Sequence, residues 1–293
     1  MKKLIAIAVF VLIGFASNAE PLDEIIVKAS KEFSEFASNL IPGEGHTEIS
    51  IDLREEGYSP DFSILAVREI APIEDGKVFT QFSLFATEAA NGVAGGDSRY
   101  IGNIGLGARK LTHDNTIMFG INNFYDYDLV EDHFRTSLGI EVRSAVLEFR
   151  VNRYEGLSDE YNEENVVDGW DYTLESQIPH LHWASAFITG YEWEGITRDD
   201  VRGQKIGSEM SLTPNVNFEF AFDDKDKEGL DDEWYSKLNF VHPGKEGPTA
   251  MDGASDVAWK ENRDMSGELL SKVKRSNKIF IEFKGTSVVS RTD

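Results

Sequence analysis

The sequence predicts an all-β protein, an antiparallel transmembrane β-barrel of about twelve strands. Three observations carry that prediction. Apolar and polar side chains alternate with a period of two between about residues 46 and 242. The alternating segments are mostly roughly 9–11 residues long, the length of a tilted strand crossing a bilayer. The links between them are alternately short and long.

The alternation is clearest from Tyr100 to Leu129, YIGNIGLGARKLTHDNTIMFGINNFYDYDL. Ile104, Leu106 and Ala108 fall on one face, with Asn103, Gly105, Gly107 and Arg109 on the other. After the polar break Thr112–Asn115, Ile117, Phe119 and Ile121 share a face against Met118, Gly120, Asn122 and Phe124. Glycines inside a strand are costly unless the backbone bends or something packs closely on them. Phe134, Thr136, Leu138, Ile140 and Val142 oppose His133, Arg135, Ser137, Glu141 and Arg143. Trp170, Tyr172, Leu174 and Ile178 oppose Asp171, Thr173, Glu175 and Gln177. Val216, Phe218, Phe220 and Phe222 oppose Asn217, Glu219 and Asp223.

The segments fall at about Thr47–Arg54, Asp61–Ile70, Lys77–Thr87, Tyr100–Leu111, Thr116–Asp126, Asp132–Val142, Ser144–Tyr154, Asp168–Ile178, His182–Trp193, Gln204–Leu212, Asn215–Phe222 and Glu233–Val241. Breaks after the even segments are mostly brief: Thr112–Asn115, Arg143 alone, Pro179-His180, Thr213-Pro214. Those after the odd segments tend to be longer and acidic: Glu88–Arg99, Glu155–Val167, Glu194–Gly203, Asp223–Asp232. An outer-membrane barrel has short periplasmic turns and long outer loops. A soluble β-sandwich gives the same alternation but has no reason to sort its loops by parity. On the barrel reading, Arg135, Glu141, Arg143, Glu148, Arg150, Glu175 and Glu219 line a wet lumen with mixed signs. Tyr100, Tyr125, Tyr154, Trp170, Tyr191, Trp193 and Trp234, near strand ends, are expected in aromatic girdles.

The chain opens with Lys2 and Lys3, an apolar run from Leu4 to Phe15, and Ser17-Asn18-Ala19, the order of a secretory signal cleaved after Ala19. From Leu22 to Leu40, Leu22, Ile25, Ile26, Ala29, Phe33, Phe36, Ala37 and Leu40 form one stripe of an amphipathic helix stopped by Pro42-Gly43. Its polar face mixes acids with Lys28 and Lys31, which suits a periplasmic helix better than a membrane-surface anchor. The expected organisation is therefore a signal at 1–19, a periplasmic helix at 20–45, a barrel at 46–242, a pore-threading linker or plug at 243–285 and a tail at 286–293. Within the linker, His242–Ala258 reads as loop or irregular plug. Leu269, Leu270 and Val273 suggest a short helix, and Ile279, Ile281 and Phe283 an extended segment.

Among 293 residues there is no cysteine, which removes disulfides, thiolate metal sites and a cysteine nucleophile. The formal charge of −23, from 52 acids and 29 bases, argues against nucleic acid and against charge-driven binding of anionic lipid.

The segments NIGLGARKL, MFGINNFYDYDL, HFRTSLGIEVRSAVLEF and VVDGWDYTLESQIP together resemble the translocator barrel of the inverse autotransporters, the intimin/invasin family. The tail LLSKVKRSNKIFIEFK resembles the segment that follows the barrel in that family, with Ser276 where an asparagine is usual. The resemblance spans about residues 60–284, and its most specific marks are Phe124–Asp128, Asp168–Asp171 and Arg275–Lys284. It implies a twelve-stranded barrel in the Gram-negative outer membrane with a periplasmic N-terminus, and a chain that re-enters the pore after the last strand. It further implies a C-terminal passenger, usually immunoglobulin-like adhesive domains. Implied partners are outer-membrane lipid and lipopolysaccharide, the barrel-assembly machinery and periplasmic chaperones. No passenger is expected after Asp293, and the N-terminal region is expected to be too short for a peptidoglycan-binding module.

No catalytic, cofactor-binding or metal site is predicted. Gly102–Gly107 lacks true dinucleotide spacing and opens no helix. Asp224, Asp226, Glu228 and Gly229 begin like a calcium loop, but the twelfth position is Tyr235 rather than glutamate. Those acids could hold divalent cations loosely among lipopolysaccharide, an idea that calorimetry without calcium-dependent heat would remove. His180 and His182 are expected to face solvent, and His113 and His133 to be isolated. No Gly-x-Ser-x-Gly or His-Glu-x-x-His motif occurs. The expected function is an outer-membrane anchor and conduit of the inverse autotransporter type, not an enzyme. The alternatives are a porin-like small-solute channel and, further off, a soluble secreted β-sandwich that binds glycans through its aromatics.

Overall fold

A computed structural model of the chain describes residues 39, 43–53, 61–87, 99–158, 160, 164–226 and 232–283. The signal at 1–19, nearly all of the helix at 20–45 and the tail at 286–293 lie outside the described residues. The barrel strands are β1 (Gly45–Leu53), β2 (Asp61–Ile73), β3 (Gly76–Thr87), β4 (Arg99–Leu111), β5 (Ile117–Asp128), β6 (Phe134–Ser144) and β7 (Leu147–Gly156). They continue with β9 (Gly169–Ile178), β10 (Leu181–Trp193), β11 (Val201–Thr213), β12 (Val216–Asp226) and β13 (Glu233–His242). These twelve form one closed antiparallel sheet, in chain order around the wall. β1 seals it against β13, with Thr47 opposite His242 and Leu53 opposite Ser236. Closure gives every strand a hydrogen-bonded neighbour on both sides, the condition for exposing a sheet to hydrocarbon. A separate two-stranded pair joins β8 (Glu164–Val166), in the link between β7 and β9, to β14 (Ile281–Phe283).

Which face looks outward decides between barrel and sandwich. Ile104, Leu106, Phe119 and Ile121 are 51–60% exposed, whereas Asn103, Arg109, Met118 and Phe124 beside them are buried. Leu138, Ile140 and Val142 are exposed while Arg135, Ser137 and Glu141 are buried. A wall with its apolar side chains out and its charges in is the reverse of a water-soluble domain and fits a lipid surround.

One end of the barrel carries the tight links: 74–75, 112–116, 145–146, 179–180 and 214–215. Asp75 and Asn115 adopt positive φ there (56° and 58°), a conformation that Asp and Asn tolerate in a two-strand turn. The other end carries longer links, such as 88–98 and 157–168; the β5–β6 link at 129–133 is no longer than 112–116 and is the exception.

The twelve predicted segments overlap the twelve barrel strands, but the break expected at Arg143 lies at 145–146, with Arg143 and Ser144 still in β6. There are three departures elsewhere. Tyr154, Tyr191 and Trp193 do not join a girdle; they point inward and are buried with Phe280 in one apolar cluster. Their parity explains it, since Tyr154 shares a face with Arg150 and Asn152. Tyr100, Tyr125 and Trp234 do face out. The expected helix around Leu269–Val273 is only a three-residue 3-10 turn, Ser266–Glu268, followed by turn backbone as far as Ser271. β8 was not legible because three residues carry no period; it exists by pairing with β14.

Candidate functional site

The lumen is occupied by the chain itself. After β13, residues 243–264 lie across the short-turn end. His180 N–H donates to Ala258 O (2.9 Å), Ser255 N–H to His180 O (2.7 Å) and Trp183 Nε1 to Gly253 O (2.8 Å). Met265 N–H then donates to Asn115 O at 2.9 Å, beside another short turn. From there the segment runs through the barrel. Arg109 from β4 donates to the carbonyls of Leu269 (3.2 Å) and Ser271, while its Nε holds Glu141 at 2.7 Å. Gln81 on β3 treats Val273 as a strand would, accepting from its N–H at 2.7 Å and donating to its carbonyl at 3.3 Å. Asn103 on β4 donates to Asn277 O (3.1 Å), and Lys278 Nζ meets Asp61 at 2.9 Å. At the long-loop end Phe280 stacks on Trp193 with centroids 3.6 Å apart, and β14 pairs with β8.

From Lys272 to Arg275 successive side chains go to opposite walls, as in an extended chain. Val273 packs with Leu65, Val67, Phe79 and Phe124. Arg275, on the same side, binds Asp126 of β5 through two nitrogens (2.9 and 2.6 Å). Lys272 and Lys274 go the other way, to Glu48 of β1 (2.5 Å) and to Glu175 of β9 and Glu209 of β11 (2.7 and 2.8 Å).

Asp126 is the centre of this seat. Besides Arg275 it accepts from Arg135 Nε (2.9 Å) and Asn103 Nδ2 (2.8 Å), and it is wholly buried. The two guanidiniums lie over aromatic faces, Arg275 above Phe124 and Arg135 above Tyr154, each at 4.5 Å. Tyr154 in turn donates to Asp171 at 2.6 Å and accepts Ser276 N–H at 2.8 Å. Buried charges need partners with good geometry, and here two arginines face two aspartates through a shared tyrosine. Phe124–Asp128, Asp168–Asp171 and the tail from Arg275 thus meet at one place: Asp126, Asp171 and Arg275.

Sequence reasoning named Arg135, Glu141, Arg143, Glu148, Arg150, Glu175 and Glu219 as lumen-lining, but not Glu48, Asp126 or Glu209, nor the pairing of any of them with residues 269–280. Gln81 and Asn152, which donates to Asp171 (2.8 Å) and to Lys274 O (3.4 Å), were missed outright, and Asn103 was placed on the polar face of its strand without a partner; the only signal was a polar amide on the inward parity. The small face of β4 has its close packing: the Phe124 ring lies on Gly105 and the Phe79 ring on Gly107. His133 is not isolated; it is buried with Nε2 2.9 Å from Glu164 Oε2. His180 is exposed and His182 half-buried, and their rings also meet the linker, at Ser255 O and Val257 O, both 3.0 Å. Asp224 and Asp226 end β12, and Glu228 and Gly229 lie outside the described residues.

Two carboxylates pin the long-loop end. Burial pushes Glu164 upward, but the hydrogen bonds of His133 and Arg99 outweigh it and hold Glu164 below the usual glutamate range. Glu282 is lowered in the same way. Burial opposes ionisation, yet the Thr197 hydroxyl and the backbone N–H groups of Ile196 (2.8 Å) and Thr197 (2.9 Å) favour it. The site as a whole is built to hold an extended polypeptide by its amides and cations. Among the described residues no group of three or more His, Asp or Glu is placed to hold a metal ion.

Comparison with known proteins agrees with that geometry. The family model described as "Inverse autotransporter, beta-domain" matches residues 24–277. The chain is 28% identical over 234 residues to the inverse autotransporter adhesin YeeJ of Escherichia coli K12, covering 74% of this chain and 9% of that protein. It is 26% identical over 159 residues to a putative attaching and effacing protein homolog of the same strain, covering 52% of this chain and 49% of the other. It therefore spans less than half of either relative. A solved structure described under "Unveiling the Mechanism Behind the in-meso Crystallization of Membrane Proteins" superimposes with TM-score 0.64 at 19% identity, covering 82% of this chain and all of that one. That likeness speaks for the fold alone. The family model and the barrel together establish that this chain belongs to the inverse autotransporter β-domain family and is a translocator-like β-barrel of the outer membrane.

Proposed function

We propose that the barrel is the membrane anchor and conduit through which its own C-terminal segment reaches the cell surface, with the N-terminus and the short turns in the periplasm. The observation that carries this is the course of residues 265–283, from Asn115 at the short-turn end to β8 at the long-loop end. A chain that enters at one mouth and pairs with a loop strand beyond the other is placed to present whatever follows on the far side. On this reading residues 1–19 are a removed signal, 20–45 a periplasmic helix, 46–242 the wall, 243–285 the threading linker and 286–293 the start of the exposed part. The barrel-assembly machinery and periplasmic chaperones would insert it, and lipid and lipopolysaccharide would surround the apolar wall. Adhesion, named for YeeJ, would belong to a passenger rather than to the wall.

An epitope joined after Asp293 should be accessible to antibody on intact cells. The same epitope placed between Lys245 and Gly253 should need a permeabilised outer membrane. The opposite pattern would overturn the orientation, and equal protection of both would overturn the threading.

A further inference from the structure

The plug does not fill the lumen evenly. Its apolar and arginine side packs on the wall from β2 to β7, through Val273, Ile279 and Arg275. On the other side, among the described residues, lie cavities of about 220 and 130 Å³. The larger opens toward the short-turn end, beside Lys245 and Lys260. The smaller continues toward the long-loop end, reaching Tyr235 and Lys237. Both are lined mainly by polar and charged side chains. The two share Glu175, Glu209, Lys272 and Lys274, so these four side chains form the partition between them.

Lys274 is the bar of that partition. It leaves the plug and spans to two neighbouring acids on different strands, at 2.7 and 2.8 Å. Glu175 has further partners, Arg150 at 3.2 Å and Ser185 at 2.6 Å, which keep it in place independently of the lysine. Both acids stand on wall strands, with Glu175 held there by these other partners, and the ammonium hangs on a flexible stem from the plug.

We propose that small ions pass the seated plug along the β9–β13 wall, and that Lys274 is the constriction of this side lane. Polar cavities of this size hold water, and ions follow water where charges of both signs line the way. With Lys274 in place, its ammonium occupies the narrowest point and offsets the two acids, so the lane is slow and weakly selective. Without it the partition keeps Glu175, Glu209 and Lys272, so its balance turns negative and favours cations. This rests on the threading proposed above, so the test must report plug position separately from conductance.

The chain has no cysteine of its own, which allows a tether. Val166 and Ile281 are register partners in the β8–β14 pair, so Val166→Cys with Ile281→Cys should form a disulfide that holds the plug. In planar bilayers the tethered, oxidised protein carrying Lys274→Ala should show single-channel conductance raised roughly twofold or more over the tethered parent. Its reversal potential in a potassium chloride gradient should shift toward potassium. Adding Glu175→Gln and Glu209→Gln should abolish the shift while retaining the larger conductance, and it guards against a variant that misfolds through unpaired acids. Equal conductance of the tethered pair, or a rise seen only after the tether is reduced, would overturn the side lane. Failure of the disulfide to form would instead count against the threading.

Discussion

The Arg275 guanidinium grips the Asp126 carboxylate at two points, 2.9 and 2.6 Å, with both side chains wholly buried and 149 residues apart in the chain. Arg135 supplies a second guanidinium to the same carboxylate. The contact joins the barrel wall to the segment inside it. Asp126→Ala leaves two buried arginines with no carboxylate in direct contact, and breaking a buried pair in this way costs ~3–5 kcal/mol. Arg275→Ala leaves Asp126 still held by Arg135 and Asn103, so its cost should be smaller. Urea titrations of the lipid-embedded barrel, followed by heat-modifiable migration, should rank the midpoints as parent, then Arg275→Ala, then Asp126→Ala. The reverse ranking would show that the carboxylate is not the hub.

Gly105 and Gly107 let aromatic rings lie on the inner surface of β4. A Cβ at Gly107 would sit 2.3 Å from Phe79 Cζ, and one at Gly105 would sit 2.4 Å from Phe124 Cδ1. Each glycine-to-alanine change should destabilise by ~1–3 kcal/mol through overpacking. Combining Gly107→Ala with Phe79→Leu should recover part of the loss, because the two changes share one clash. Simple additivity in a double-mutant cycle would refute the ring-on-glycine account.

Glu282 makes docking of the long-loop end depend on pH. Its folded-state pKa lies below the ordinary glutamate value, held there by three donors from residues 196–197 against the effect of burial. The ionised carboxylate is the bound form, so its contribution is complete above about pH 4.3, the unfolded value. It declines as the pH falls below that and is gone once the folded pKa is passed. Hydrogen exchange of residues 281–283 should therefore be protected at neutral pH and lose protection in acid, after correction for intrinsic rates. In Glu282→Gln the protection should be weaker and nearly flat across that window. Glu164, lowered as well, would add a residual slope of the same sign.

Leu106 is 60% exposed near the middle of β4. Arginine at a lipid-facing midplane position costs ~2–4 kcal/mol in outer-membrane barrels. Leu106→Arg should lower folding yield into phospholipid vesicles and shift the urea midpoint by that amount. Lys110→Arg, at a strand end, should leave both nearly unchanged. A Leu106→Arg protein that folds as well as the parent would mean that this face does not meet lipid.

The primary structure by itself determined the wall. Period-two alternation needs only the residue and its neighbour but one, so twelve strands, their lipid and lumen faces and the short-turn end can be read along the chain. Tyr154, Tyr191 and Trp193 were misplaced because nearness to a strand end was weighed above this parity, which by itself puts them inside. What only the tertiary structure decided is what the inward face touches. Asp126 and Arg275, Glu175 and Lys274, Trp193 and Phe280 are each joined by closure of the barrel around a returning segment. No periodicity in one strand encodes the partner that closure brings from 87 to 149 positions away. The lumen therefore reads in sequence as a row of charges facing water, and in three dimensions as a seat already taken.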